Sequence, residues 1–113
     1  MLHELVIYQK QYDLVLYAFR IVARYPRQMR FTLGQQTLDC LLDITRLIVR
    51  ANSEHGNDRK RVLKELDLKL EEFRLLTRLA KDLHLLAVQH YGNLSERVTE
   101  IGRLLGGWLK SAS

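Results

Sequence analysis

The residues that could do chemistry in this chain are few, and their spacing does not serve it. The four histidines, His3, His55, His84 and His90, are scattered, with no pair one turn apart on a helix to share a metal. There is no His-Glu-x-x-His, and Cys40 has no second thiol for a zinc site. The Glu-x-x-His motifs of di-iron bundles are absent too. His84 reads as a helix-end residue and His90 as a partly buried one. Asp39 and Asp43 share a helical face, as an acid/base pair would, but that face continues with Arg46 and Arg50. Acid towards a helix N-terminus and base towards its C-terminus is what the helix dipole and one-turn ion pairing favour, so structural salt links are expected there. No glycine-rich phosphate loop follows a strand, because no segment has strand periodicity. The expectation is a chain without catalytic activity, metal or cofactor.

The basic residues are better organised. Net charge is +5, from 18 Lys and Arg against 13 Asp and Glu, which favours polyanionic partners. In "FRLLTRLAKDL", Arg74, Arg78 and Lys81 occupy one helical stripe, partly neutralised by Asp67 and Glu71. Arg20 and Arg24 lie one turn apart, and "YPRQMRF" adds Arg27 and Arg30. Repeated around a ring-like oligomer, such stripes would merge into a large positive surface. Binding to phosphate backbones would then depend strongly on salt and weakly on sequence. No aromatic platform for base stacking is evident.

These side chains must be positioned by helices. The chain has 113 residues, enough for one domain spanning 1–113, and its sole proline is Pro26. Apolar spacing near the helical repeat predicts helices over roughly 3–25, 33–53, 58–83 and 87–110. Pro26 disfavours helical backbone at Tyr25 and supplies the first stop. Gly56 and Asn57 supply turn chemistry at the second, with Asp58 available as a cap. His84 is the expected break at the third. Long helices with short connections predict an all-α, up-down-up-down four-helix bundle.

Two helices carry more apolar surface than one core needs. In the third, Leu63, Leu66, Leu70, Phe73, Thr77 and Ala80 form the core stripe, while Leu68, Leu75 and Leu79 fall on the other side. In the first, Leu5, Ile7, Leu14, Val15, Leu16, Phe19, Ile21, Val22 and Ala23 leave only a thin polar strip at Gln9, Asp13, Arg20 and Arg24. A second packing surface, and so a homo-oligomer, is expected. In the fourth helix Tyr91, Leu94, Val98, Ile101, Leu105 and Trp108 form the core stripe, flanked by the small residues Ser95, Thr99, Gly102 and Gly106. Such a flank admits close approach by another backbone.

No apolar run approaches the ~18–20 residues that cross a bilayer, so no membrane association is expected. "MLHELVIYQK" lacks the features of a secretion signal, and a lone cysteine fits a reducing cytoplasm, the expected location.

Three segments, "YPRQMRFTLGQQTLDCLLDITRLIVRAN", "KLEEFRLLTRLAKDLHLL" and "LSERVTEIGRLLGGWLKS", together resemble the accessory variability determinant (Avd) proteins of diversity-generating retroelements. "RFTLGQ" followed by "IGRLLGGWLK" is the most specific combination, and the resemblance covers nearly the whole chain. It implies a small basic four-helix bundle that forms a homo-oligomeric ring, typically a pentamer. It also implies binding to the retroelement reverse transcriptase and to nucleic acid, as RNA template or cDNA. The implied role is non-catalytic support of adenine-mutagenic cDNA synthesis during retrohoming. By motif match the resemblance carries functional roles onto Arg74 and Arg78; Lys81, Arg20, Arg24, Arg27 and Arg30 rest on the stripes alone. Related sequences often have Gly at the position of His84 and Ser at that of Ala87, so a slightly different turn is expected there. The alternatives are an RNA-associated bundle of the ribosomal-RNA intervening-sequence type, without a polymerase partner, and a purely protein–protein scaffold.

Overall fold

The structure is a computed structural model that describes the backbone of residues 2–112 and the side chains of residues 6–112. The side chains of His3 and Leu5 lie outside the described residues. Helix α1 spans Leu2–Val22. The second helix, α2, begins with an α-helical turn at Arg27–Met29, widens to a π-helical segment at Arg30–Gly34, and continues as Gln35–Ser53. Helix α3 is Gly56–Asp82 and α4 is Val88–Ala112. Among the described residues there is no strand.

The first turn is tighter than the spacing predicts. α1 ends at Val22, the Tyr25 ring folds into the core, and the next helix starts directly after Pro26. Proline sets the backbone angle that a helix start needs, and the N–H groups of Met29 and Arg30 both donate to its carbonyl. The π-helical segment ends on Gly34, where the two helices meet. A Cβ at this position would lie 2.8 Å from Val22 Cγ1 and 3.1 Å from the Met29 carbonyl oxygen. Glycine is thus required by close approach within the chain.

At the second turn Gly56 adopts φ +55, which favours glycine. The cap expected from Asp58 is not made: Asp58 instead pairs with Arg61 at 3.4 Å. Arg59 does the closing work, donating from Nε to the Ala51 carbonyl at 2.9 Å and from Nη2 to that of Asn52 at 3.3 Å. Its guanidinium carbon also lies 5.8 Å from the centre of the Trp108 ring. At the third turn His84 leaves the helical region with φ +60, as expected. The Leu85 N–H reaches back to the Ala80 carbonyl and the His84 N–H to that of Lys81, which is a Schellman closure with histidine at the position that usually takes glycine.

The helices pack in sequence, α1 on α2, α2 on α3, α3 on α4, and α4 closes back onto α1. This is an up-down-up-down four-helix bundle, 44 × 22 × 19 Å. Its axis is filled by Ile7 and Leu14, Leu41, Ile44 and Ile48, Leu63, Leu66, Leu70 and Phe73, and Ile101, Leu105 and Trp108. The core faces of α3 and α4 are those the apolar spacing indicates, except that Tyr91 is only half-buried. The surplus apolar surface is also real: Leu68 and Leu75 on α3 are 72% and 65% exposed. On α1, Tyr8, Tyr12, Leu16 and Phe19 are exposed and lie within about 80° of one another at about 100° per residue.

The small-residue flank of α4 does not serve close packing inside the chain. Nothing lies within 4 Å of a Cβ placed at Gly106, and Gly102 is approached by the Arg74 guanidinium at 3.6 Å.

Candidate functional site

The antiparallel topology brings the end of α1, the start of α2, the end of α3 and the start of α4 to one end of the bundle. Residues 14–38 carry Arg20, Arg24, Arg27 and Arg30 and no Asp or Glu. Arg78 and Lys81 come to the same end from α3. The sequence-predicted basic residues therefore share one region, but they divide into two sets that differ in how their charge is met.

The α3 set is neutralised locally. Arg74 Nε lies 3.3 Å from a Glu71 oxygen, while Nη1 reaches the Thr99 hydroxyl of α4 at 3.5 Å. Its side chain is half-buried in a groove of about 340 Å³ between α3 and α4, shared with Arg78, Tyr91 and Ser95. Asp82 serves two cations, Arg78 at 3.9 Å and Lys81 at 3.6 Å. Lys81 Nζ also stands 4.7 Å from the centre of the Tyr91 ring. These are exposed or half-exposed pairs worth little to stability, and they leave the groups available to a stronger anionic partner.

The other set has no carboxylate partner among the described residues. Arg27 and Arg30 are exposed on the first turns of α2, and Phe31 beside them is 69% exposed. Arg24 reaches across to α4, where its Nη1 lies 3.3 Å from His90 Nε2. Arg20 lines a shallow groove between α1 and α4 together with Asp13, Tyr17 and Arg97. Arg97 was not singled out from sequence, and its guanidinium carbon sits 4.8 Å from the centre of the Tyr17 ring. The contact joins residues far apart in the chain, and no local pattern announces it. The rings of Tyr8, Tyr12, Phe19 and Phe31 are exposed, and Phe31 directly follows Arg30 in the chain.

The side of the bundle between α2 and α3 holds a different cluster. Lys69 Nζ bridges Glu72 at 2.9 Å and Asp43 at 3.3 Å. The hydrogen bond to Glu72 holds the Lys69 ammonium above its ordinary value, and the same bond holds the Glu72 carboxyl below its own. Buried Cys40 lies beside them, its thiol pushed up to about 12, by burial first and then by the Glu72 carboxylate. A thiol held protonated is a poor nucleophile. Asp43 also pairs with Arg46 at 2.8 Å, the structural link expected, whereas Asp39 accepts from the Gln35 amide and Arg50 pairs with Glu65 of α3 at 3.9 Å. Among the described residues no three His, Cys, Asp or Glu side chains are grouped to hold a metal, and no helix is long and apolar enough to cross a membrane.

The model of the bAvd-like family matches residues 5–112. The chain belongs to the bAvd-like family. No curated protein matches it in sequence. Membership supports an accessory role of the Avd type, in partnership with retroelement components, and agrees with the four-helix bundle. It also puts "RFTLGQ" in a physical light, since a Cβ on Gly34 of that motif would collide with Val22 at the end of α1.

Proposed function

We propose that this chain, a single domain over residues 1–113, is a non-enzymatic accessory protein of a diversity-generating retroelement. It assembles into a homo-oligomeric ring, a pentamer by family resemblance. It holds the reverse transcriptase and nucleic acid, RNA template or cDNA, through its basic surfaces during mutagenic retrohoming. The observation that carries this reading is the end of the bundle where Arg20, Arg24, Arg27, Arg30, Arg78 and Lys81 converge, with no acid between residues 14 and 38. Repetition around a ring multiplies that charge, and electrostatic attraction raises the local concentration of enzyme and template together.

Two uncovered apolar stripes support the assembly. The aromatic stripe of α1 and the leucine stripe of α3 are different surfaces on non-adjacent helices. Pairing one with the other is a head-to-tail contact, the kind that generates rings.

The test is reconstitution in a working retroelement. Arg74→Glu with Arg78→Glu should keep the helical fold and lose co-purification of the reverse transcriptase, nucleic acid or both. Retention of both partners would overturn the α3 assignment. Leu75→Lys with Leu68→Lys should lower the oligomer mass measured by light scattering, and an unchanged mass would overturn the stripe pairing.

A further inference from the structure

The α1/α4 groove around Tyr17 carries more than scattered charge. Because a guanidinium only donates, the contact with Arg24 Nη1 makes His90 Nε2 the acceptor. Nδ1 then carries the proton and donates to the Tyr17 hydroxyl oxygen at 3.0 Å. Asn93 Nδ2 donates to the same oxygen, also at 3.0 Å. Both lone pairs of that oxygen are thereby filled, while its own O–H has no acceptor among the described residues. Arg97 is held over the ring of the same tyrosine by cation–π attraction. Arg20 lines the groove with it, and none of Arg20, Arg24 and Arg97 has a carboxylate partner among the described residues.

We propose that this groove is a phosphate site for a nucleic-acid backbone, with Arg97, Arg20 and the Tyr17 hydroxyl as direct donors. Arg24 and His90 act as positioning residues that orient that hydroxyl. The ligand is assigned by chemistry: the groove offers several unspent donors and a net positive field, which suit a phosphodiester's oxygens. Asp13 on the rim opposes this field, and Glu96 and Glu100 line the adjoining groove that Arg97 and Asp13 share with Lys10 and Arg103. Among the described residues Asp13 accepts from Gln9 alone, at 3.1 Å, and it would repel a phosphate. The assignment rests on the nucleic-acid part of the proposed function, and it moves the main contact from α3 to α1 and α4.

The experiment titrates salt against binding of a fluorescein-labelled oligothymidylate, read by anisotropy, using the full chain. Arg97→Gln is exposed and should keep the helical signal and melting temperature of the parent. It should bind roughly three- to tenfold more weakly at low salt, with a slope of log K against log salt shallower by about 0.7 per lost contact. Tyr17→Phe should weaken binding while keeping the slope, because it removes a donor and no charge. Asp13→Asn should strengthen it, a gain that a purely structural role for Arg97 does not produce. If Arg97→Gln and Asp13→Asn both match the parent while Arg74→Gln with Arg78→Gln loses binding, the groove assignment is overturned and the nucleic-acid reading stands. A parent protein that fails to bind at the lowest salt overturns both, and leaves an acidic protein surface as the partner of this end of the bundle.

Discussion

Replacing glycine by alanine should have opposite effects at Gly34 and Gly106. Both positions are helical, so each substitution gains about 1 kcal/mol of helix propensity. At Gly34 the new methyl would lie 2.8 Å from Val22 Cγ1 and 3.1 Å from the Met29 carbonyl oxygen, well inside van der Waals contact. Val22 is 5% exposed, and a β-branched side chain in a helix has essentially one rotamer, so it cannot swing aside. The carbonyl belongs to the turn of α2 that Pro26 starts, and it cannot retreat without breaking that turn. Overpacking of this kind costs about 1–3 kcal/mol. Set against the propensity gain, Gly34→Ala should destabilise by about 1 kcal/mol. Gly106→Ala meets nothing within 4 Å, so the gain stands alone and the variant should be more stable by up to about 1 kcal/mol. Thermal melting at one fixed protein concentration would register each as a shift of about 4 °C, in opposite directions. A rise for Gly34→Ala would refute the close-approach account of "RFTLGQ". A fall for Gly106→Ala would mean that a neighbouring subunit covers this glycine in the assembly, restoring the small-residue flank as an intermolecular feature.

Three further outcomes are expected. Arg59→Ala removes two hydrogen bonds to the last carbonyls of α2 and the contact with Trp108, and should cost about 1–2 kcal/mol, read as a lower urea midpoint with an unchanged slope. Cys40, with its thiol pushed up to about 12, should resist a thiol-reactive dye at neutral pH in the folded protein and label rapidly in denaturant; fast native labelling would contradict its burial. The Glu72 carboxyl sits below its ordinary 4.5, so its contribution to stability is full above that value and is lost as pH falls through the lower folded one. Glu72→Gln should therefore flatten part of the acid limb of stability against pH, and an identical limb would show that the Lys69 pairing does not couple to folding.

Much of the architecture is legible in the sequence because helical periodicity is a local property. Leu63, Leu66, Leu70 and Phe73 announce the buried face of α3, and Leu68 and Leu75 announce a second face that the folded chain leaves open. His84 could be picked out as the break, although the Schellman closure that holds it there could not. α2 starts at Arg27 rather than near residue 33 because Pro26 stops one helix and at once begins the next, and the π-helical segment Arg30–Gly34 does not show α-helical apolar spacing. Asp58 looked like a cap because its type fits one, yet Arg59 reaches the orphaned carbonyls and closes the helix before it.

The functional surface divides in the same way. Composition and spacing determine that the chain is basic and helical, since charge and periodicity are counted along the chain. The α3 cations meet carboxylates within one turn of their own helix, a local spacing, whereas contacts between helices are decided only by folding, because they depend on distances of a few ångströms across the bundle. Arg74, Arg78 and Lys81 acquire Glu71 and Asp82 as neighbours, whereas Arg97 meets Tyr17 only once α4 closes onto α1. The sequence by itself determined how much positive charge there is and on which helices. The tertiary structure decided which of it remains free, because that depends on what each guanidinium touches.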